Sequence, residues 1–336
     1  MGRYFLLILF LICSFTCMFS RNWQSDILGD GYKSTQVVMP DDYSGRVVST
    51  IVKKSANEAS VKAVLYIHGY NDYFFQKEMG DKFVYHGYNF YAIDLRKYGR
   101  SILEGQRKFE VRSLTEYFAD IDSALSIIKN EGNAEIVLMG HSTGGLISSY
   151  YLAMNNNKNQ EIKALILNSP FLDFNLSKMQ EKYLLPIVSM FSNLIPNISI
   201  SQNSNDAYSQ SLLKMYHGEW VYNTDWKLPL SPDVTTGWLG AIHKAQKSIQ
   251  KGADINVPIL LIRSNKSVYG SSWNSEFNKG DCVLDVNDIS KYGNCLGKNK
   301  KELVVKEGLH DIVLSRKPIR DAVYTYIFNW LKVLNL

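Results

Sequence analysis

Residues 134–151, AEIVLMGHSTGGLISSYY, constrain this chain more than any other stretch. A short apolar run at 134–139, with Ile136 and Val137, reads as a buried strand. From Gly145 onward, Leu146, Ile147, Tyr150 and Tyr151 fall at helical spacing. Only Gly140-His141-Ser142-Thr143-Gly144 remain to turn one element into the other. A strand-to-helix turn this sharp holds its serine in a strained backbone conformation and needs glycines where side chains would collide with neighbouring elements. It lifts the hydroxyl above the sheet edge and aims the following amides and the helix N-terminus at any developing negative charge.

The rest of the chain reads as the setting for that turn. Its 336 residues, 46% hydrophobic and 21% charged, suit one large α/β domain carrying an insertion. The net charge of +5 is spread along the chain rather than blocked, which gives a nucleic-acid role little support. Residues 4–13 (YFLLILFLIC), extended by Phe15 and Met18, follow Gly2-Arg3 and lack a polar face. That is short for a membrane span and suits a signal-peptide core, so residues 1–20 are expected to be a signal peptide or signal-anchor that directs export. Cys13 and Cys17 lie in this leader. Only Cys282 and Cys295 would remain in an exported chain, where they are expected to pair as a disulfide.

Past the leader, 36–39 and 46–53 read as a β-hairpin around the polar turn 41–45. VKAVLYI (61–67) is a central parallel strand that ends at His68-Gly69-Tyr70-Asn71-Asp72. A strand at 88–93, an amphipathic helix at 114–130 and a strand at 162–167 continue the alternation. It breaks over 171–256, where 184–195 is an unusually apolar helix-like run and Tyr208, Tyr216, Trp220, Tyr222 and Trp226 follow. This segment is expected to be a cap, with core domains at 21–170 and 257–336. A helix at 235–251 closes it. Strands at 258–262 and 303–306 and a helix at 318–333 complete the chain.

A serine hydroxyl is a weak nucleophile and needs a base, which needs a carboxylate to orient it. The order serine, acid, histidine leaves His217, His243 and His310 downstream of Ser142; only His310 follows the last strand. The loop directly after the 258–262 strand holds no carboxylate, so the acid must come from Glu276, Asp281, Asp285 or Asp288. The backbone amides of Thr143 and Tyr70 are placed to form an oxyanion hole.

These pieces together resemble the α/β-hydrolase fold, specifically the monoglyceride-lipase and serine-aminopeptidase-like group, also described as lysophospholipase-like. The resemblance is carried by His68-Gly69, by Asp94-x-Arg96-x-x-Gly99-x-Ser101, by the turn at 140–145, and by Asp281-x-Val283-Leu284-Asp285-Val286 and Glu307-Gly308-Leu309-His310-Asp311. It spans roughly residue 36 to the C-terminus and is loosest in the insertion; Lys97 and Tyr98 depart from the Gly-His common in the second motif. It implies a mostly parallel central sheet flanked by helices, with a helical cap. It also implies a serine ester hydrolase using Ser142, Asp281 and His310, with Asp285 as the runner-up acid. Asp281 is favoured because the family's acid is usually followed by the pattern D-x-V. The substrates expected are small-molecule esters, above all acyl lipids, and no metal or organic cofactor is implied. The apolar leader and cap both offer a route to a membrane. A peptidase releasing N-terminal residues is the alternative, with Glu219 or Asp225 holding the substrate ammonium, and a non-catalytic binding protein on the same scaffold is the other.

Overall fold

A computed structural model describes residues 22–155, 158–177, 179–202 and 205–336; the leader expected at 1–20 lies outside the described residues. A short β1 (Gln24–Ser25) precedes a long hairpin, β2 (Lys33–Asp42) and β3 (Gly45–Lys54). Then come β4 (Lys62–Ile67), α1 (Lys77–Tyr85), β5 (Asn89–Asp94), α2 (Glu116–Asn130), β6 (Glu135–His141), α3 (Thr143–Met154) and β7 (Ile162–Asn168). The next segment holds α4 (Leu185–Phe191), β8 (Ser199–Ile200), α5 (Ala207–Leu212), β9 (Val234–Thr235) and α6 (Thr236–Gln250). Alternation resumes with β10 (Ile259–Ser264), α7 (Val286–Gly293), β11 (Lys300–Val305) and α8 (Lys317–Val333).

Nine strands form one sheet in the order β1-β2-β3-β5-β4-β6-β7-β10-β11. The six from β5 to β11 run parallel, and β1, β2 and β3 pair antiparallel at one edge. The apolar runs of the sequence are continuous because both faces of these strands are covered. In β6, Ile136 and Leu138 join the layer built with α2, α3 and α6, whereas Val137 and Met139 join the layer built with α1 and α8. In β10, Ile259 and Leu261 face the first layer and Leu260 and Ile262 the second. This is the fold class that the sequence motifs imply. All six parallel strands end at one edge of the sheet, and the loops at that edge carry the site.

The expected insertion at 171–256 divides in two. Trp238, Ala241, Ile242, Ala245 and Ile249 of α6 pack into the layer that also holds α3, so α6 is a core helix rather than part of a cap. Helical periodicity reveals that a helix has an apolar face without revealing which layer that face meets. The remaining part, 171–235, has two unlike halves. In the first, α4 rests on α6 through small residues: Ser189 and Ser192 are buried, and a side chain at Gly240 would collide with Ser192. Its apolar residues Leu184, Ile187, Met190 and Leu194 face outward. In the second half, Leu212, Leu213 and Tyr222 pack with Tyr73, Phe75, Leu309 and Leu314 of the core loops, and Trp220 and Trp226 close that cluster.

Candidate active site

Ser142 lies between β6 and α3 with φ +51° and ψ −117°, the left-handed strain that the turn demands. The strain persists because the turn is enclosed. A side chain at Gly144 would strike the backbone carbonyls of Ile67 and His68, so only glycine lets α3 pack this closely on the end of β4. The Ser142 amide donates to Asn168 O (3.0 Å) and its carbonyl accepts from the Phe171 amide (3.0 Å), tying both sides of the turn to β7.

Three of the expected residues come together here. The Ser142 hydroxyl donates to His310 Nε2 at 3.0 Å, and His310 Nδ1–H donates to Asp281 Oδ2 at 2.9 Å. A carboxylate only accepts, so Asp281 fixes the tautomer and leaves Nε2 with a lone pair toward the serine. The other oxygen of Asp281, Oδ1, accepts from the amides of Val283 and Leu284, each at 2.8 Å. Asp281 is fully buried, and Ser142 and His310 nearly so. The His310 loop is held from β7: Asn168 Nδ2 donates to Asp311 Oδ1 (2.6 Å), and Asn168 Oδ1 accepts from the Ile312 amide (3.0 Å). Asn168 is a positioning residue that sequence reading overlooks; its one signal is a polar residue directly after the apolar run 164–167.

The acid reaches the site by an excursion that closes on itself. After β10, Ser267 and Asp281 form an isolated parallel bridge, with the Asp281 amide donating to Lys266 O (3.0 Å) and the Val268 amide to Asp281 O (2.7 Å). A side chain at Gly280 would meet Val268, so glycine is needed for this approach. Ser267 Oγ also accepts from the Val286 amide (2.9 Å) and donates to Leu284 O (3.0 Å). The residues between, 269–280, lean on the insertion: Asn205 donates to Gly270 O, Trp273 to Ser211 Oγ, and Asn278 to His217 O.

The competing carboxylates are elsewhere. Asp285 caps α7, accepting from the Asn287 amide (2.8 Å). Glu276 is exposed between Lys266 and Lys279, which hold its carboxyl down at about 2. Asp288 sits in the first turn of α7, its carboxyl raised by burial and by Asp173. The expected Cys282–Cys295 disulfide is absent, and both thiols are free. The segment carrying the acid is pinned instead by the main-chain bridge and Ser267. Cys282 packs instead beside Ala207, Val268 and Phe277, and burial pushes its thiol well above the usual range.

Ser142 and His310 open onto a cavity of about 130 Å³ whose lining includes Tyr70, Thr143, Phe171, Leu228 and Trp238. Tyr70 and Thr143, the two residues expected to supply oxyanion amides, thus border the serine. Among the described residues Asp72, His141 and Asp311 bring ligand-type atoms within 4.8 Å of one another. The cation in that group is already the Lys227 ammonium, 2.9 Å from Asp72 Oδ1, and Asp311 accepts from Asn168 and Gln76. His141 donates Nδ1–H to Asn168 O (3.2 Å), and burial holds its pKa below the ordinary imidazole value. Of the motif around Asp94, Asp94 Oδ1 accepts from the Phe74 amide (2.9 Å) and Asp94 Oδ2 from Arg100. The unusual Lys97 is buried and ion-paired with Asp42 (2.8 Å), away from the serine.

Sheet order, elbow and triad geometry together define an α/β hydrolase. Residues 58–313 match the family described as serine aminopeptidase, S33, and the chain belongs to that family. No curated protein matches the sequence. Among solved structures, a soluble variant of monoglyceride lipase from Saccharomyces cerevisiae in complex with a substrate analog is similar at TM-score 0.63 and 17% identity, over 89% of this chain and 95% of that one. A monoacylglycerol lipase from Paleococcus ferrophilus gives 0.60 and 18%, over 84% and 98%. A thermostable carboxyl esterase from Bacillus coagulans in complex with glycerol gives 0.62 and 13%, over 90% and 99%. At these identities the likeness shows the fold.

Proposed function

We propose that this protein is a serine hydrolase of carboxylic esters, acting through an acyl-enzyme on acyl lipids such as monoacylglycerols or lysophospholipids. The observation that carries the reading is the hydrogen-bonded chain Ser142–His310–Asp281, with the serine open to the cavity. Ser142 Oγ attacks the acyl carbonyl while His310 Nε2 takes its proton, and Asp281 stabilises the resulting imidazolium. The amides of Tyr70 and Thr143 donate to the oxyanion of the tetrahedral intermediate, the latter from the N-terminus of α3. His310 then protonates the departing alkoxide, and water, activated by the same histidine, releases the acid.

Esters are favoured over peptides by the lining of the cavity. Capture of a peptide's N-terminal ammonium calls for a free carboxylate, and among the described residues none lines the cavity. Glu219 is paired with Arg320, Asp225 lies outside the lining, and Asp72 is paired with Lys227. The apolar contribution of Tyr70, Phe171, Leu228, Pro229, Leu284 and Trp238 supports an acyl pocket, in which each buried methylene contributes about 0.8 kcal/mol. The outward apolar face of α4 supports contact with a lipid surface, and the leader at 1–20 supports export.

The test is labelling with a fluorophosphonate together with turnover of p-nitrophenyl esters of increasing acyl length and of aminoacyl-nitroanilides. Wild type is expected to label, to prefer acyl chains longer than acetyl and to leave the nitroanilides intact. Ser142→Ala is expected to lose labelling and to lose ester turnover by about 10⁴-fold or more. Ester turnover retained in folded Ser142→Ala removes the mechanism, and faster turnover of nitroanilides than of esters reverses the substrate class.

A further inference from the structure

The loop that carries Tyr70 is anchored to the core at its two ends and to the insertion in its middle. At the start, His68 Nε2 accepts from the Leu95 amide (3.1 Å); at the finish, the Phe74 amide donates to Asp94. Between these anchors, three consecutive side chains reach a single stretch of the insertion. Asn71 Nδ2 donates to Leu228 O (2.9 Å) while Asn71 Oδ1 accepts from the Leu228 amide (2.8 Å), so the side chain pairs with Leu228 as a strand neighbour would. Asp72 Oδ1 accepts from Lys227 Nζ (2.9 Å). Tyr73 Oη accepts from the Asn223 amide (2.8 Å). All of Asn71, Asp72, Tyr73 and Lys227 are buried. Stretch 223–228 is itself stiffened by a turn in which Asn223 Oδ1 accepts from the Asp225 amide (2.8 Å) and Asn223 O from the Lys227 amide (3.0 Å).

The backbone at this point does not hold itself. Asn71 has φ +49°, a left-handed conformation that costs energy for a residue with a side chain and lasts only where surroundings impose it. The same loop lies hard against the serine: a side chain on Gly69 would sit 3.2 Å from Ser142 Cβ. A small rotation of this loop therefore shifts the Tyr70 amide relative to the serine.

We propose that residues 223–228 of the insertion form a clasp that sets the oxyanion hole, with Lys227 and Asn71 as positioning residues for the Tyr70 amide. This rests on the Ser142 mechanism given above and extends it to the insertion, which becomes part of the catalytic apparatus rather than a cover alone. Both side chains also line the cavity, but their hydrogen bonds go to Leu228 and Asp72 and not to Ser142 or His310. Each acts by fixing where one amide points, and an amide displaced from the oxyanion loses value in the transition state while ground-state binding is unchanged.

The test compares Lys227→Met and Asn71→Gly in the full chain on p-nitrophenyl butyrate, with affinity for an alkyl trifluoromethyl ketone and for butyrate measured in parallel. The ketone forms a hemiketal with the serine whose oxyanion occupies the hole; butyrate occupies the pocket without forming one. Glycine keeps the left-handed backbone of position 71 without strain and removes only the pair of hydrogen bonds to Leu228. Both variants are expected to lose about 10²-fold in kcat, the scale of one lost oxyanion donor, with KM and butyrate affinity within about threefold of wild type. Ketone affinity is expected to fall by a factor similar to the fall in kcat. Unchanged kcat and ketone affinity in Asn71→Gly overturns the proposal, as does a rise in KM with kcat preserved. If Lys227→Met does not fold, Asn71→Gly decides alone. Ser142→Ala is the separate control: retained ketone affinity there defeats the serine mechanism itself, whereas its loss beside an unaffected Asn71→Gly defeats only the clasp.

Discussion

Residues 136–139 and residues 184–195 are both strongly apolar stretches, and they end in opposite surroundings. The first is the middle of β6, every side chain fully buried between two helical layers. The second turns most of its large side chains outward, with Leu194 76% exposed and Met190 66%. Apolar composition alone does not decide burial; the number of elements available to cover a surface does. A central strand has a helical layer on each side, whereas α4 has α6 on one side and nothing among the described residues on the other. Stability and catalytic geometry belong to the first region, and α4 keeps an uncovered apolar face.

Catalysis gives the sharpest way to test that division. Asp281→Asn preserves shape but no longer fixes the tautomer of His310, and kcat is expected to fall by about 10⁴-fold. Asp285→Ala removes only the cap of α7, with an expected loss of about 1 kcal/mol of stability and kcat nearly unchanged. Steady-state kinetics with urea unfolding checks both, and a crippled Asp285→Ala beside an active Asp281→Asn exchanges their roles. Next in size is packing. Leu138→Ala in β6 is expected to cost about 2–5 kcal/mol. Leu194→Ser, despite removing a residue of the same type, should change stability by less than about 0.5 kcal/mol and weaken binding to phospholipid vesicles in sedimentation. Equal losses of stability in the two variants would erase the contrast between the regions, and unchanged vesicle binding would remove the lipid contact proposed for α4.

The last prediction concerns pH. Burial holds His68 and His141 below the ordinary imidazole value. Below about pH 6.5 the unfolded chain takes up protons at these positions while the folded chain does not. Stability is therefore complete above that pH and falls as pH drops toward the lowered folded values, by up to about 1.4 kcal/mol per pH unit for each histidine. Urea midpoints at pH 7.5 and 5.5 should converge in His68→Gln relative to wild type; an equal or larger gap in the variant contradicts the assignment to His68.

The parallel sheet was legible in the sequence because two-sided burial leaves uninterrupted apolar runs such as 63–67 and 136–139. The turn at Ser142 was legible because its requirements are local: glycines and a serine within five residues. His310 stood out by its place after the final strand. Asp281 was harder to single out, since what brings it home is a main-chain bridge to Ser267, marked in the sequence only by Gly280 and Ser267, residue types common in any loop. The disulfide expectation failed for the same reason, because two cysteines on either side of α7 give no information about their distance. Assigning α6 to the cap failed because its apolar face was visible but its partner α3 was not. The clasp between Asn71 and Leu228 joins residues 157 apart in sequence through one amide side chain, and no spacing rule reaches that far.

The closing bridge at Ser267 and Asp281 has a mechanical consequence. Excursion 269–280 takes hold of the insertion at Asn205, Ser211 and His217, yet both of its ends meet at one rung of backbone. The rung holds the two ends of the excursion in one register, so the place of the carboxylate beside His310 does not depend on the path the chain takes between them. The same insertion thus meets the two halves of the catalytic geometry by different means: it packs on the acid and base side through Ala207 against Cys282 and Tyr208 against His310, and it grips the oxyanion loop through the side-chain hydrogen bonds of Asn71, Asp72 and Tyr73.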